Sequence, residues 1–445
     1  MTVELRSLTP AEWRAQVRAE RQGPAVLLDG QSAGPLGAWF ELPVSAGHVV
    51  RTILDDVARE GDPAVRRWTE RLDQVDVAET RVPAGAMARA WEETAPEVRD
   101  AISAAATRIR AIHEPQRDTA IRGTPTAHLR PLPLRRVGCY VPGGRAAYPS
   151  TVLMNVIPAQ LAGVAEIALV SPPGPDGSVH PLVLASAHRL GVAEVHAVGG
   201  AQAIGALGYG TPAIPRVDKI TGPGNLFVTL AKRAVFGEVG IDGIAGPSEI
   251  VVLASDGADP RLVAADLVSQ LEHDPLAWAV CITDSAALAA RVSEAFTEEA
   301  STAARGGIIA QAAGRHGAVV VTESLEAARR LADEFAAEHL SLQGEAAEAL
   351  RGEAHTASAV FVGRRSPVSM GDYVAGPNHT LPTGGAARHR GPLAVMDFQR
   401  WQSVVDLSVE EFDDLSPVAC ALAAAEGLRG HERAIRLRME DVSDE

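Results

Sequence analysis

Cysteine is scarce: the chain of 445 residues has only Cys139, Cys281 and Cys420, far apart and with no CxxC pair. That excludes a disulfide framework and suits a reducing compartment, where each sulfur serves as a small buried hydrophobe. Positive charge is short as well, with 41 Lys plus Arg against 56 Asp plus Glu and a net charge of -15. A phosphate-backbone partner needs clustered cations, so no nucleic acid is expected. Long apolar runs are missing too. The most apolar stretch, Val152 to Val170, is interrupted by Asn155, Pro158, Gln160 and Glu166, so it reads as a helix and a strand rather than a membrane span. The opening MTVELRSLTPAEWRAQVRAE carries charges every few residues and no apolar signal segment. A cytoplasmic protein with no membrane partner is expected.

What is present is length and rhythm. At 445 residues the chain exceeds what one core usually serves, so two or more domains are expected. From Val49 to about Arg110 the apolar spacing is helical, with breaks near Gly61 and Pro83. After the Pro-rich PLPLRRVG, short β-branched runs alternate with Ala-rich helical stretches: CYVP, EIALVSP, EVHAVGG and VDKIT, each followed by a helix. A second series, IVVLAS, WAVCIT, GAVVVT and ASAVFVG, repeats the pattern after the glycine-rich junction GIDGIAGPSEI. Such alternation predicts βαβ units, hence an α/β chain with two incomplete Rossmann-like parallel-sheet domains. Small helical extensions are expected at both ends, the C-terminal one over Glu410 to Met439.

Several segments can carry chemistry. AADLVSQLEHD sets Gln270 and His273 three apart on one helical face, where an imidazole and an amide oxygen can reach one cation; a cap or surface histidine uses the same spacing. AAEHLSL puts Glu338 beside His339 at a helix end. The neighbouring carboxylate is expected to raise the proton affinity of the imidazole and position it as a general base, although a histidine complementing a helix C-terminus would look alike. SMGDYVAGPNHTLPTGG holds Asp372, Asn378 and His379 in a constrained polar loop, as ligand or as turn-former. AAAEGLRGHER places Glu426 and His431 around Gly427, which helix-surface polarity also explains. Pooled, Gln270, His273, Asp372 and His431 make an N2O2 set suited to zinc if the fold brings them together. With no HExxH and no paired CxxC, the residues by themselves yield a candidate metal site and no reaction.

The dinucleotide signal is partial. GPGN, with Gly222, Gly224 and Asn225, follows a strand-like run and precedes a helix, where backbone N–H groups can approach a phosphate. Phe227 replaces the third glycine, and no acidic residue is visibly placed for a ribose. GGAQAIG and CYVPGG set Gln202 and Tyr140 beside flexible backbone, or are ordinary tight turns.

Nine segments, YVPGG, STVLMNVIPA, GGAQAI, VDKITGPGN, AGPSE, DLVSQLEHD, AAEHL, GDYVAGPNHTLPT and AEGLRGH, stand in an order and spacing that closely resembles histidinol dehydrogenases, from about Arg135 to Arg438. The resemblance implies one zinc per subunit on Gln270, His273, Asp372 and His431, and a catalytic pair Glu338 and His339. It implies a substrate site lined by Ser248, Glu426, His339 and the zinc ligands, and NAD contacts at Tyr140, Gln202 and Asn225. The implied reaction oxidises L-histidinol through a retained aldehyde to L-histidine, consuming two NAD per turnover. The implied assembly is an intertwined homodimer whose C-terminal Glu426 and His431 complete the partner's site. On that basis residues 1–35 are expected to form an N-terminal arm, 36–137 with 247–383 a first α/β domain carrying metal and catalytic residues, 138–246 a second carrying NAD contacts, and 384–445 an extension reaching the partner. IDGI stands where a Met-Pro pair is usual and Gly430 where Ala is common, which touches loop geometry and no ligand.

Three other readings compete. A relative using zinc and NAD on another small alcohol, such as a sulfonated diol, is opposed by Glu426, whose charge suits a cationic amino alcohol. A zinc hydrolase leaves GPGN and the sheet pattern unexplained. A non-catalytic binding module is the third.

Overall fold

The computed structural model describes residues 3–21, 27–28, 34–117, 120–143 and 147–441. Gly144, the last residue of YVPGG, lies outside the described residues, as do parts of the expected N-terminal arm and the end of the C-terminal extension. The chain divides into two compact units, Met1–Arg117 with Leu134–Phe398, and Asp118–Pro133 with Gln399–Glu445.

The first unit holds two parallel sheets, as the alternation predicted. In the five-stranded sheet the order is Gly240–Ile241, Lys219–Thr221, Arg136–Tyr140, Glu166–Ser171, Glu194–Ala197. Its earliest strand, Arg136–Tyr140, is central. The next two strands are laid on one side of it, and the chain then returns to place Lys219–Thr221 on the other. That reversal moves the crossover helices from one face to the other. Helices Pro149–Ala162 and Pro181–Arg189 pack with Ala84–Glu93 and Pro96–His113, while Gly200–Tyr209 and Leu226–Val235 pack with Ala46–Glu60 and Asp62–Asp73. Both faces are covered, which is why the strands read as unbroken apolar runs.

The six-stranded sheet is wound the same way, in the order Arg6–Leu8, Gly317–Val321, Trp278–Thr283, Glu249–Ala254, His339–Gln343, Ala359–Val362. Its earliest long strand, Glu249–Ala254, lies between Trp278–Thr283 and His339–Gln343. Helices Pro260–Leu271, Ala286–Thr302 and Gly306–His316 cover one face, and Leu325–Phe335 with the N-terminal helix Pro10–Arg21 covers the other.

One difference from the sequence reading matters for the site. The helix ending near Ala337 by pattern stops at Phe335, because Ala336 turns to a left-handed φ of 54°. Glu338 and His339 are therefore released from the helix, and His339 opens a buried central strand.

The second unit is an antiparallel sheet of Gln399–Val405, Ala127–Pro133 and Arg122–Gly123, with helices Val409–Ala425 and Arg429–Asp441. A capping box fixes the start of Val409–Ala425: Glu411 N–H donates to Ser408 Oγ at 3.2 Å, and Ser408 N–H donates to Glu411 Oε2 at 3.3 Å. Among the described residues no helix is long and apolar enough to cross a membrane.

Candidate active site

The densest chemistry lies at the amino edge of the six-stranded sheet. Ser248 precedes the central strand, and its carbonyl accepts from Trp278 N–H at 2.9 Å. Glu249 follows. Its backbone N–H donates to Glu338 Oε2 at 2.9 Å, and its carbonyl accepts from His339 Nδ1 at 3.1 Å. A carbonyl can only accept, so this contact fixes the proton on Nδ1 and leaves the Nε2 lone pair available. One residue of one strand thus orients both members of the expected catalytic pair.

Glu338 and His339 are both buried, at 7% and 6% exposure. Burial pushes the Glu338 carboxyl well above its ordinary range; the Glu249 N–H opposes this, and the charges of Glu249 and Asp372 reinforce it. Burial likewise drives the His339 imidazole down to about 4, against the pull of Asp372. This corrects the expectation that Glu338 would raise the proton affinity of His339. Desolvation is the largest influence on His339 and Asp372 leads those opposing it, while Glu338 is itself kept toward its neutral form.

Two further elements converge there. Helix Pro260–Leu271 starts from the carboxyl edge and returns to the amino edge, bringing Gln270 to its end and His273 just beyond. Gln270 is buried, and its Nε2 has no hydrogen-bond partner. Short helix Val368–Tyr373 carries half-buried Asp372, whose carbonyl accepts from His379 Nδ1 at 2.9 Å. The charges of Asp372 and His273 act on both His339 and His379, so the sheet, the helix and the loop share one locus. Among the described residues no three His, Cys, Asp or Glu side chains form a metal-holding group. Of the expected set only His273 and Asp372 in the first unit are of those types; Gln270, also in the first unit, is an amide, and His431 belongs to the second unit.

The second locus is the carboxyl edge of the five-stranded sheet, between Arg136–Tyr140 and Lys219–Thr221, where the winding reverses. Ligands in open α/β sheets bind at such switch points. Tyr140 is buried, with its phenol pushed up by desolvation, and its hydroxyl accepts from Gly200 N–H at 3.2 Å. Gln202 is fully buried, and neither end of its amide has a partner. Gly222 has φ 109°, and a Cβ there would lie 2.0 Å from the Tyr140 carbonyl oxygen, so only glycine fits. Its N–H donates to Asp242 Oδ2 at 2.7 Å, while Lys232 Nζ donates to the Gly222 carbonyl at 3.0 Å. The first glycine of GPGN therefore serves close strand packing and has no N–H left for a phosphate. Asn225 is exposed and caps helix Leu226–Val235, its Oδ1 accepting from Phe227 and Val228 N–H at 3.0 and 3.1 Å.

The loop after Asp372 joins the two loci. His379 Nε2 lies 3.4 Å from Thr151 Oγ1, and Asn378 Nδ2 donates to the Met154 carbonyl at 2.6 Å. Both partners sit in helix Pro149–Ala162, which begins just past the carboxyl edge. Glu426 and His431 are exposed residues of the second unit. Glu426 ends helix Val409–Ala425, and Gly427 at φ 75° turns the chain into the helix carrying His431.

A family model described as histidinol dehydrogenase matches residues 43–439. The chain belongs to the histidinol dehydrogenase family. Similar curated relatives carry that name: one from Parasynechococcus marenigrum strain WH8102 is 46% identical, covering 88% of this chain and 90% of its own. Another, from Dehalococcoides mccartyi, is 42% identical over 98% and 99%. The crystal structure of histidinol dehydrogenase from Elizabethkingia anophelis superposes with a TM-score of 0.87 at 30% identity, covering 100% of both chains. As a member of this family the chain is an oxidoreductase enzyme.

Three residues not anticipated from the sequence stand in these sites. Glu249 is marked in the sequence only as an acid opening an apolar strand. Asp266 lies one helical turn before Gln270 and accepts from Ser341 Oγ at 3.3 Å. Asp73, whose Oδ2 is sealed without a partner, has its carboxyl raised to about 6 by burial and acts electrostatically on Tyr140.

Proposed function

We propose that the chain oxidises L-histidinol to L-histidine in two NAD-linked steps at a zinc site, with histidinaldehyde retained between them, as the last steps of histidine biosynthesis. The observation that carries this reading is the His339 tautomer. Its Nδ1–H is spent on the Glu249 carbonyl at 3.1 Å, so the free lone pair is on Nε2, which can act as a base.

The residues fit both absent groups. The amide oxygen of buried Gln270, the imidazole of His273 and the carboxylate of Asp372, the latter two acting together on His339, make a borderline N/O donor set of the zinc kind. Zinc held by Gln270, His273 and Asp372 with the partner's His431 would supply Lewis acidity toward the nitrogen and hydroxyl donors of the amino alcohol. The partnerless amide of Gln202 and the switch-point position of Tyr140 suit a dinucleotide, which would also meet Asn225 and would supply the hydride acceptor.

The chain's own residues perform the proton chemistry. His339 stays neutral at physiological pH because burial holds it near 4, so its lone pair is available to take the hydroxyl proton of the substrate. Glu338, raised by burial, is a stronger base once ionised than an exposed carboxylate, which suits it to draw a proton from water adding to the aldehyde. Ser248 borders the same edge and Glu426 of the partner supplies a charge for the substrate's ammonium. Overall one alcohol and one water give a carboxylate, two hydrides leave to two NAD, and three protons are released. In this reading residues 36–137 with 247–383 form the domain that carries metal and catalytic residues, and 138–246 the one with the NAD contacts.

The working form is proposed to be a homodimer. In support, Leu415, Val418 and Leu422, at three- and four-residue spacing on helix Val409–Ala425, are 51%, 58% and 60% exposed, an apolar stripe that a second copy would cover. The cytoplasm is the proposed compartment, in keeping with three free buried cysteines.

The test is the NADH formed per L-histidinol consumed by zinc-loaded enzyme, with histidine as the product check. Two NADH with histidine are expected. One NADH with free aldehyde would remove the retained second step, and none would remove the substrate assignment.

A further inference from the structure

We propose that Arg21, at the end of the N-terminal helix and outside the 43–439 stretch matched by the family model, is a positioning residue for the catalytic pair. The inference rests on the reading of Glu338 and His339 as that pair. Its physical basis is a chain of contacts with no loose link. Arg21 Nη2 donates to Glu249 Oε1 at 3.2 Å, and Arg21 Nη1 donates to the Phe335 carbonyl at 2.7 Å. The guanidinium also stacks 4.3 Å from the centre of the Phe335 ring. Phe335 is the last residue of its helix, and the turn that follows delivers Glu338 and His339. Glu249 supplies the N–H that holds Glu338 and the carbonyl that holds His339. One planar fork therefore clamps the two backbone segments whose separation sets the orientation of both side chains.

The acid at the centre of this chain needs the cation. Glu249 is 3% exposed, and its Oε2 has no hydrogen-bond partner. Burial raises its carboxyl, and the charge of Arg21 is the largest influence opposing that, ahead of the Gly384 N–H that donates to Oε1 at 3.0 Å. A buried acid stripped of its paired cation shifts or neutralises. The rest of the helix is anchored independently, by Trp13 against Phe335 at 5.1 Å and by the exposed pair Arg14–Glu334. Arg21 is thus the point where docking of this helix meets the site.

The experiment compares Arg21→Met, Arg21→Lys, Glu249→Gln and Arg14→Ala as full-length zinc-loaded enzymes. Misplacing catalytic groups by about an ångström lowers turnover about a hundredfold, so Arg21→Met is expected to lose about ten- to a hundredfold in kcat with KM within about twofold. Lys keeps the charge without the fork and recovers part of the loss. Arg14→Ala, which loosens the same helix at an exposed pair, leaves kcat unchanged. In the double variant Arg21→Met with Glu249→Gln, the losses do not multiply, because both remove one clamp.

Unchanged kcat in Arg21→Met, a change confined to KM, or fully multiplicative losses in the double variant each overturn the role. Should Arg21→Met fail to fold, Arg21→Lys and its double variant with Glu249→Gln carry the same comparison. His339→Asn measured alongside separates the two readings: retained turnover there defeats the catalytic pair itself, whereas lost turnover there with unchanged Arg21→Met defeats only this inference.

Discussion

The two parallel sheets of the first unit share a winding and differ in which edge is left unsatisfied. At the amino edge of the five-stranded sheet, Glu166 and Glu194 open their strands but are neutralised by buried Arg136, at 2.9 and 2.6 Å, and His196 closes the cluster on Glu194 at 2.9 Å. Its carboxyl edge instead leaves Gln202 and one oxygen of Asp73 without partners. In the six-stranded sheet the carboxyl edge is the sealed one. Gly344 at φ 89° packs so tightly that a Cβ would lie 2.6 Å from Ser255 Oγ, which also accepts from Ala347 N–H at 3.2 Å. Its amino edge leaves Glu249 Oε2 and Gln270 Nε2 unpartnered and holds Glu338 toward its neutral form. Buried polar groups are ordinarily paired, so unpaired ones mark where a ligand belongs. On the proposed assignment, the rule that α/β sheets bind at their carboxyl ends would hold for the first sheet and fail for the second. Winding would then place the cofactor edge, and charge pairing the chemical one.

That division of labour is broken most strongly by His339→Asn. A general base contributes about 10²- to 10⁴-fold, so kcat is expected to fall by about that factor. The affinity for NAD, measured by calorimetry, is expected to stay unchanged because the contacts proposed for it lie at the other sheet. A parallel loss of NAD affinity would mean that the two edges are one coupled site.

A smaller effect concerns the acids that each edge buries. Burial raises Asp266, beside the amino-edge site, from 3.8 to about 6, with Ser341 opposing the shift. The folded-state value lies above the unfolded one, so the fold is favoured by the protonated form. The stabilising influence is complete below about pH 4 and is lost as pH rises through about 6. The shift corresponds to on the order of 3 kcal/mol across that window. Asp266→Asn is expected to flatten the fall in melting temperature between pH 4 and 7 while retaining the Ser341 contact. Asp73 carries the same shift at the other edge, so an unchanged slope in Asp266→Asn would assign the pH dependence to the carboxyl-edge acid instead.

Much of this architecture was legible in order along the chain. The two strand series, the helices between Val49 and Arg110, and the polar loop that follows Tyr373 come from local periodicity and turn residues, which are properties of neighbours in sequence, whereas Asp372, read as a loop residue, lies in the short helix Val368–Tyr373. What escaped depends on contacts between distant residues. HLSLQ alternates too briefly after AAEH to declare a strand, and its place beside Glu249–Ala254 is set 90 residues away. The strand Ala127–Pro133 includes two prolines and pairs with Gln399–Val405, so PLPLRR read as a crossing rather than a strand. The direction of the His339 shift was misread for a related reason. Adjacency of Glu338 is visible in the sequence, whereas burial of both groups is not, and burial is the larger influence.

The finest test exchanges one amide at each edge. Gln202 is fully buried with neither amide atom partnered, and desolvating such a group costs about 1–3 kcal/mol. Gln202→Leu keeps the volume and removes that cost, so the cofactor-free protein is expected to gain about 1 kcal/mol in stability. NAD affinity should fall about tenfold, the worth of one hydrogen bond, with zinc content unchanged. Gln270→Leu should do the reverse, lowering zinc content and leaving NAD affinity alone. If Gln202→Leu gained no stability, the amide would already be satisfied, and the carboxyl edge would lose its claim to be the unsatisfied one. If each substitution affected both ligands, the contact of His379 with Thr151 at 3.4 Å would be the bridge to examine, because it is there that the two edges touch.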